Sequence, residues 1–222
     1  AEMVKLLENT FRIVNISLVN EMMLLCDKLD IDIWEVIDLA KTKPYGFMPF
    51  YPGPGAGGHC IPVDPLYLSW KARSRGFEAR FIDLASSVNS GLPYHIVEKI
   101  SQALNDRGKP LRCSKILIMG VAYKKDVKDL RESPALEIID ILIKKGSVIS
   151  YHDPYLPYLK IFGINLKGLE FNADAFKDSD CVVIVTDHSN IDYGFVAKHS
   201  PVIIDTRNAL KEVKARDNII KL

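Results

Sequence analysis

Net charge is almost absent from this chain: 29 Lys and Arg stand against 28 Asp and Glu, leaving +1 over 222 residues. That balance offers no global field for nucleic acid or an anionic membrane surface, so an anionic ligand must be held by a local site. Long apolar runs are missing as well. None approaches the roughly 20 residues of a membrane-spanning helix. Cysteine is sparse: Cys26, Cys60, Cys113 and Cys181 lie 34, 53 and 68 residues apart. These spacings exclude a CxxC-type metal site and a disulfide-dense scaffold, and the expectation is four free thiols in a reducing, cytoplasmic setting. The chain has no internal repeat and no low-complexity tract. It also starts without Met and without a cap before its first helical pattern, and so reads as a piece of a longer protein.

What is present divides into two grammars. In residues 1 to about 40, Val4, Leu7, Phe11, Val14, Leu18 and Met22 recur at three- and four-residue steps and form one apolar helical stripe. The pattern repeats in "IDIWEVIDLA" and vanishes from 41 to 65 into Pro, Gly and aromatic residues. A loop of that length in a compact domain is usually functional or disordered, and its aromatics argue against disorder. "DPLYLSWKARSRG" restores a helix with Gly76 as terminator. A longer one follows from about Asp83 to Asp106, with Pro93 permitting a bend or break.

After "RGKPLRCS", short apolar runs alternate with helical ones: "KILIMGVAY", "SPALEIIDILIKKG", "SVISYHDP", "ADAFKDSD", "CVVIVTD" and "PVIIDTR". Strands alternating with helices imply a doubly wound parallel sheet. The fold class is therefore α/β, an all-helical domain over 1–106 followed by a Rossmann-like doubly wound domain over 107–222. Ligands of such sheets sit beyond the carboxyl ends of the strands. The turn after the first strand, "GVAYKKDVKDLRES", has a single glycine where a dinucleotide fingerprint would have G-x-G-x-x-G. Lys124, Lys125 and Arg131 there are candidates for phosphates or a sugar, or form a solvated charge run. Arg207 in "DTRN" is well placed to reach a ligand, whereas His152, Asp153 and Asp187 read as turn or cap residues.

The chemistry points to "PGPGAGGHCIPVDP". Cys60 follows a glycine run in a loop, unlike Cys26, Cys113 and Cys181, which fall in periodic runs and suit buried apolar roles. Glycines let backbone approach a ligand closely, so Cys60 is a candidate nucleophilic thiol. Asp64 is either a general base or an N-cap for the helix starting at Pro65. His59 is a weaker candidate because adjacent side chains diverge. Lys5 and Asn9 share one helix face at i and i+4, and by themselves read as a solvated pair.

Taken together, "AEMVKLLENTFR", "GPGAGGHCIPVDP", "GVAYKKDVKDLRESPALEI" and "DTRN" resemble the UDP-glucose/GDP-mannose dehydrogenase family of nucleotide-sugar 6-dehydrogenases, in order and spacing across the chain. "TKPYGFMPFYPGPGAGGHCIPVDPLYLSWKAR" is most similar to the branch acting on UDP-N-acetylglucosamine; the branch acting on UDP-N-acetylmannosamine is a close relative. The resemblance implies a central helical dimerisation domain and a UDP-sugar-binding domain, without the family's N-terminal NAD domain. It implies oxidation of the sugar C6 alcohol to a carboxylate with two NAD in succession, through a thiohemiacetal and then a thioester on Cys60. Lys5 would stabilise the C6 oxygen with Asn9 as companion, and Asp64 would serve proton transfer and water activation. Tyr123, Lys124 and Arg207 would contact the UDP-sugar, Arg131 the cofactor, and Phe50, Tyr51 and Gly57 would fall in the substrate loop. Some relatives supply an arginine from the partner subunit to this loop; Pro44 stands at about that position here, with Lys43 as a candidate substitute. The implied partners are the UDP-sugar and a second copy of the chain, with neither nucleic acid nor membrane.

Overall fold

In a computed structural model, which describes residues 2–214 and 217–222, the helical grammar becomes α1 (Glu2–Lys28), α2 (Ile33–Ala40), α3 (Asp64–Arg73) and α4 (Arg80–Asn105). Local chemistry sets their ends. Asp32 caps α2 by accepting from Trp34 N and Glu35 N. Gly76, at φ +76°, ends α3 as Phe77 N reaches back to Ala72 O. α4 runs unbroken through Pro93. The chain forms two compact units, residues 1–92 and 93–222, with the division inside this helix.

In the first unit the expected apolar stripe of α1 faces outward. Of its six residues, Val4, Leu7, Phe11, Leu18 and Met22 are between 40% and 67% exposed, and Val14 is half-buried. The buried face is the opposite one: Asn9, Ile13, Ser17, Asn20, Met23 and Cys26. Polar residues can line it because they bond one another. Asn20 Nδ2 donates to Asn89 Oδ1 at 3.0 Å, and Asn89 Nδ2 donates to Ser17 Oγ at 2.5 Å. Ser17 Oγ lies 3.0 Å from Ala85 O. Buried polar groups are tolerated when their partners are supplied.

The second unit is built on a five-stranded parallel sheet. It comprises β1 (Lys115–Met119), α5 (Pro134–Lys144), β2 (Val148–His152), β3 (Tyr158–Ile161), β4 (Ile164–Lys167) and α6 (Ala173–Lys177). β5 (Cys181–Ile184), α7 (Tyr193–His199), β6 (Ile203–Asp205) and β7 (Ile219–Lys221) complete it. The order is β2-β1-β5-β6-β7, with Ile116 opposite Ile149 on one side and Cys181 on the other. Ile116, Leu117, Ile118, Val182 and Val183 have no exposed surface, as a sheet covered on both faces requires. The chain leaves β1 toward β2 and later returns to β5, which makes the carboxyl ends of β1 and β5 the topological switch point.

Four elements, β3, β4, α7 and β7, escaped the sequence reading. The β3–β4 hairpin turns at Phe162 and Gly163, both at positive φ, a two-residue reversal without the usual Asn-Gly signal. α7 and β7 are too short for their periodicity to stand out. Cys113 departs as well: it is exposed, at φ +67°, in the turn before β1, and donates its N–H to Gly146 O. Cys26 and Cys181 are buried as expected.

Candidate active site

The first unit gathers Lys5, Asn9, Cys60 and Asp64. A turn precedes α3 in which Val63 N and Asp64 N both donate to Cys60 O, at 3.2 and 2.9 Å. This i to i+4 backbone bond sets Cys60 one turn of chain ahead of Asp64. Asp64 is the first residue of α3, and Val63 occupies the cap position without a side-chain bond. The N-cap role considered for Asp64 is therefore not taken. Its carboxylate turns to α1 instead, where Asn9 Nδ2 donates to Oδ2 at 2.8 Å and Lys5 Nζ lies 3.5 Å from the same oxygen.

Asn9 is only 3% exposed, so it is not half of a solvated pair. Its amide orientation follows from both ends, because Arg12 NH2 donates to Oδ1 at 2.7 Å. Lys5 keeps 63% of its side chain exposed and is available to a ligand. Cys60 is half-buried and His59 exposed. An ammonium and an amide thus meet at one carboxylate oxygen, and the thiol of Cys60 is carried by the turn that leads into that carboxylate. That set can attack a carbonyl carbon, stabilise its oxygen and relay a proton.

The loop is pinned by its aromatics. Phe50 meets Phe11 edge-on at 5.8 Å between ring centroids, and Tyr51 stacks on Trp34 at 6.0 Å. Gly53 N donates to Asn20 Oδ1 at 3.0 Å. Gly58 is buried at φ +90°, a backbone few L-residues adopt, and Gly57 beside it is half-buried. Lys43 and Pro44 are exposed.

In the second unit the expected contacts lie at strand ends. Tyr123 follows β1 and donates its N–H to Asp129 O. Lys124 is exposed and has no ion-pair partner among the described residues. Arg207 follows β6; its Nε donates to Asp187 Oδ1 at 3.1 Å and its N–H to Asp205 Oδ1. The guanidinium of Arg131 is held by the Asp129 carboxylate at 2.6–3.1 Å. Gly120 allows the closest approach at the switch point, since a Cβ there would come within 2.5 Å of Thr186.

Comparison with known proteins settles the kinship. The UDP-glucose/GDP-mannose dehydrogenase central domain matches residues 1–91, and the UDP binding domain of that family matches 117–212. The chain belongs to the UDP-glucose/GDP-mannose dehydrogenase family. A UDP-N-acetyl-D-mannosamine dehydrogenase of Methanococcus vannielii is 36% identical over 95% of this chain and 48% of its own length. An NDP-N-acetyl-D-galactosaminuronic acid dehydrogenase of Ralstonia solanacearum is 36% identical over 93% of this chain and 47% of its own. The solved UDP-D-ManNAc dehydrogenase of Pyrococcus horikoshii superposes with a TM-score of 0.85 at 32% identity, covering this chain fully and half of that one. The chain spans about half the length of the curated relatives it matches.

Members of this dehydrogenase family are NAD-dependent. The described residues do not fit the pyrophosphate of NAD. In the turn after β1, where a dinucleotide-binding fold offers free backbone N–H groups, those of Val121 and Ala122 are taken by Asp153. Residues 53–58 spell G-x-G-x-x-G, but they lie in an irregular loop with no strand leading in, the context that the fingerprint requires.

Sequence reasoning overlooked Arg12, Ser17, Asn20 and Asn89. The signal was present: the non-apolar face of α1 carries Asn and Ser where a solvated face would carry Lys and Glu. It also passed over His188, and gave Asp153 only a turn or cap role; Asp153 Oδ1 does accept from Tyr155 N, but its buried Oδ2 also binds Val121, Ala122 and His188.

Proposed function

We propose that the full-length protein is an NAD-dependent 6-dehydrogenase of a UDP-N-acetylhexosamine, oxidising the C6 alcohol to the uronate. The observation that carries this reading is the hydrogen bond from Asn9 to Asp64, with Lys5 beside it, at the turn that begins with Cys60. In this proposal Cys60 Sγ bonds to C6 at the aldehyde level, and the sulfur remains attached until water releases the acid. Lys5 and Asn9 stabilise the oxygen on C6 as it gains charge. Asp64 accepts protons and orients the hydrolytic water. Phe50, Tyr51 and Gly57 line the sugar; Tyr123, Lys124 and Arg207 take the UDP portion. NAD supplies the hydride acceptor; Arg131 contributes a contact to it from this chain, and its main binding domain lies outside residues 1–222.

The assembly is a homodimer through the helical unit, which the exposed apolar stripe of α1 supports. UDP-sugars and NAD are cytoplasmic metabolites, and no described helix is long and apolar enough to cross a membrane. The loop before Cys60 favours the gluco epimer, while the relatives' names point to manno and galacto forms. The shared chemistry is the 2-acetamido group. Product analysis with UDP-GlcNAc, UDP-ManNAc, UDP-GalNAc, UDP-glucose and GDP-mannose tests it. At least one N-acetylhexosamine is oxidised about tenfold or more faster than UDP-glucose; equal turnover of UDP-glucose contradicts the assignment.

A second reading follows from the misfit to NAD. The 222-residue chain by itself binds UDP without turnover. Calorimetry shows UDP binding and no NADH formation, and NADH production by this chain alone overturns that view.

A further inference from the structure

Val121 N and Ala122 N, the groups that would face an anion at the switch point, donate to Asp153 Oδ2 at 2.8 and 3.1 Å. Asp153 lies just past β2, and its side chain is fully buried. Its Oδ1 accepts from Tyr155 N at 2.9 Å. His188, past β5 and 1% exposed, places Nε2 at 3.1 Å from Asp153 Oδ2. Its other nitrogen defines the tautomer. Asp126 N donates to Nδ1 at 3.0 Å, so Nδ1 carries a lone pair and the proton sits on Nε2, donated to Asp153. Burial alone would raise the Asp153 carboxyl. The bonds from His188, Val121, Tyr155 and Ala122 outweigh it and hold the group below the ordinary range, ionised.

The consequence lies between the two anchors. Ala122 is fixed by Asp153 and, through its carbonyl, by Thr186 Oγ1 at 2.6 Å. Asp126, at φ +61°, is fixed by His188 and by Ser189, whose N and Oγ donate to its carboxylate at 2.9 and 2.6 Å. Tyr123 and Lys124 are in the short span clamped between them.

We propose that Asp153 and His188 form a positioning pair for the nucleotide. The Asp153 carboxylate occupies the anion position of the β1 turn and anchors one end of the span, and His188 Nδ1 anchors Asp126 at the other, so that the diphosphate of the UDP-sugar is met by the Tyr123–Lys124 span instead of backbone N–H groups. This rests on the UDP reading of Tyr123 and Lys124. It explains why a UDP binding domain can dispense with the glycine fingerprint: a built-in carboxylate already fills the place of the phosphate.

The experiment compares three substitutions in the full-length protein by UDP calorimetry and thermal melting. His188→Asn keeps an acceptor near the Nδ1 position, His188→Gln keeps a donor near Nε2, and His188→Phe keeps only volume. UDP affinity falls about tenfold or more in the Gln and Phe variants and within about threefold in the Asn variant, whatever the order of the melting temperatures. A purely structural pair gives a different pattern. Then all three folded variants bind UDP like the parent, or affinity follows melting temperature with no recovery by Asn, and either result overturns the proposal while the UDP reading stands. Absence of UDP binding by the parent overturns both.

Discussion

Asn9 Nδ2 donates to Asp64 Oδ2 at 2.8 Å, joining the first turns of α1 to the start of α3 across 55 residues of sequence. The amide cannot rotate without losing Arg12 on its other side. The carboxylate that follows Cys60 by one helical turn is therefore held from α1, by the helix that also carries Lys5.

Removing that contact separates positioning from folding. Asn9→Ala in the full-length protein costs about 1–2 kcal/mol of stability, the value of a partly buried polar contact. It lowers kcat by about 100-fold if Asn9 supports the oxygen on C6. Urea midpoints and steady-state rates on the same samples check both, and an unchanged kcat with the stability loss present would leave Asn9 as a structural residue only.

The thiols sort by environment. Burial pushes the Cys181 thiol up to about 12, so it remains protonated and unreactive at pH 8. Cys26 is buried as well, while Cys60 is half-buried and Cys113 exposed. Iodoacetamide followed by peptide mass mapping labels Cys60 and Cys113 and spares Cys26 and Cys181. Added UDP-sugar protects Cys60 and leaves Cys113 as reactive as before; protection of neither contradicts a substrate beside Cys60.

How much of this was readable from the chain follows the same physics. The central strands β1 and β5 were legible because "ILIM" and "CVVI" are buried on both faces and read as unbroken apolar runs, whereas the three-residue β7 was not. Cys60 was legible because no packing role explains a thiol after a glycine run. The orientation of α1 was not, since its apolar stripe is the exposed one and hydrogen-bonded Asn and Ser line the buried side. Periodicity reports that a helix has two faces; it does not report which is inside when the inner polar groups satisfy each other. The Asp153–His188 pair was hidden for a related reason. Two residues 35 apart in sequence become partners only when β2 and β5 flank β1.

The exposed stripe gives its own test. Leu18→Glu combined with Leu25→Glu places two charges on the outer face of α1, where both leucines are about half exposed. Substitutions on an unpartnered surface change stability by no more than about 0.5 kcal/mol. Sedimentation of the full-length protein shows a dimer in the parent and a monomer in the double variant, with the helical signal unchanged. A monomeric parent contradicts the homodimer reading.

The central claim is that Cys60 holds the carbon being oxidised. It is tested most directly by Cys60→Ala in the full-length protein, supplied with NAD and the preferred UDP-N-acetylhexosamine, with uronate and NADH counted together. The parent yields two NADH per uronate, and the variant forms no measurable uronate while still binding UDP with parental affinity. Uronate formed by the variant at the parental rate contradicts the account.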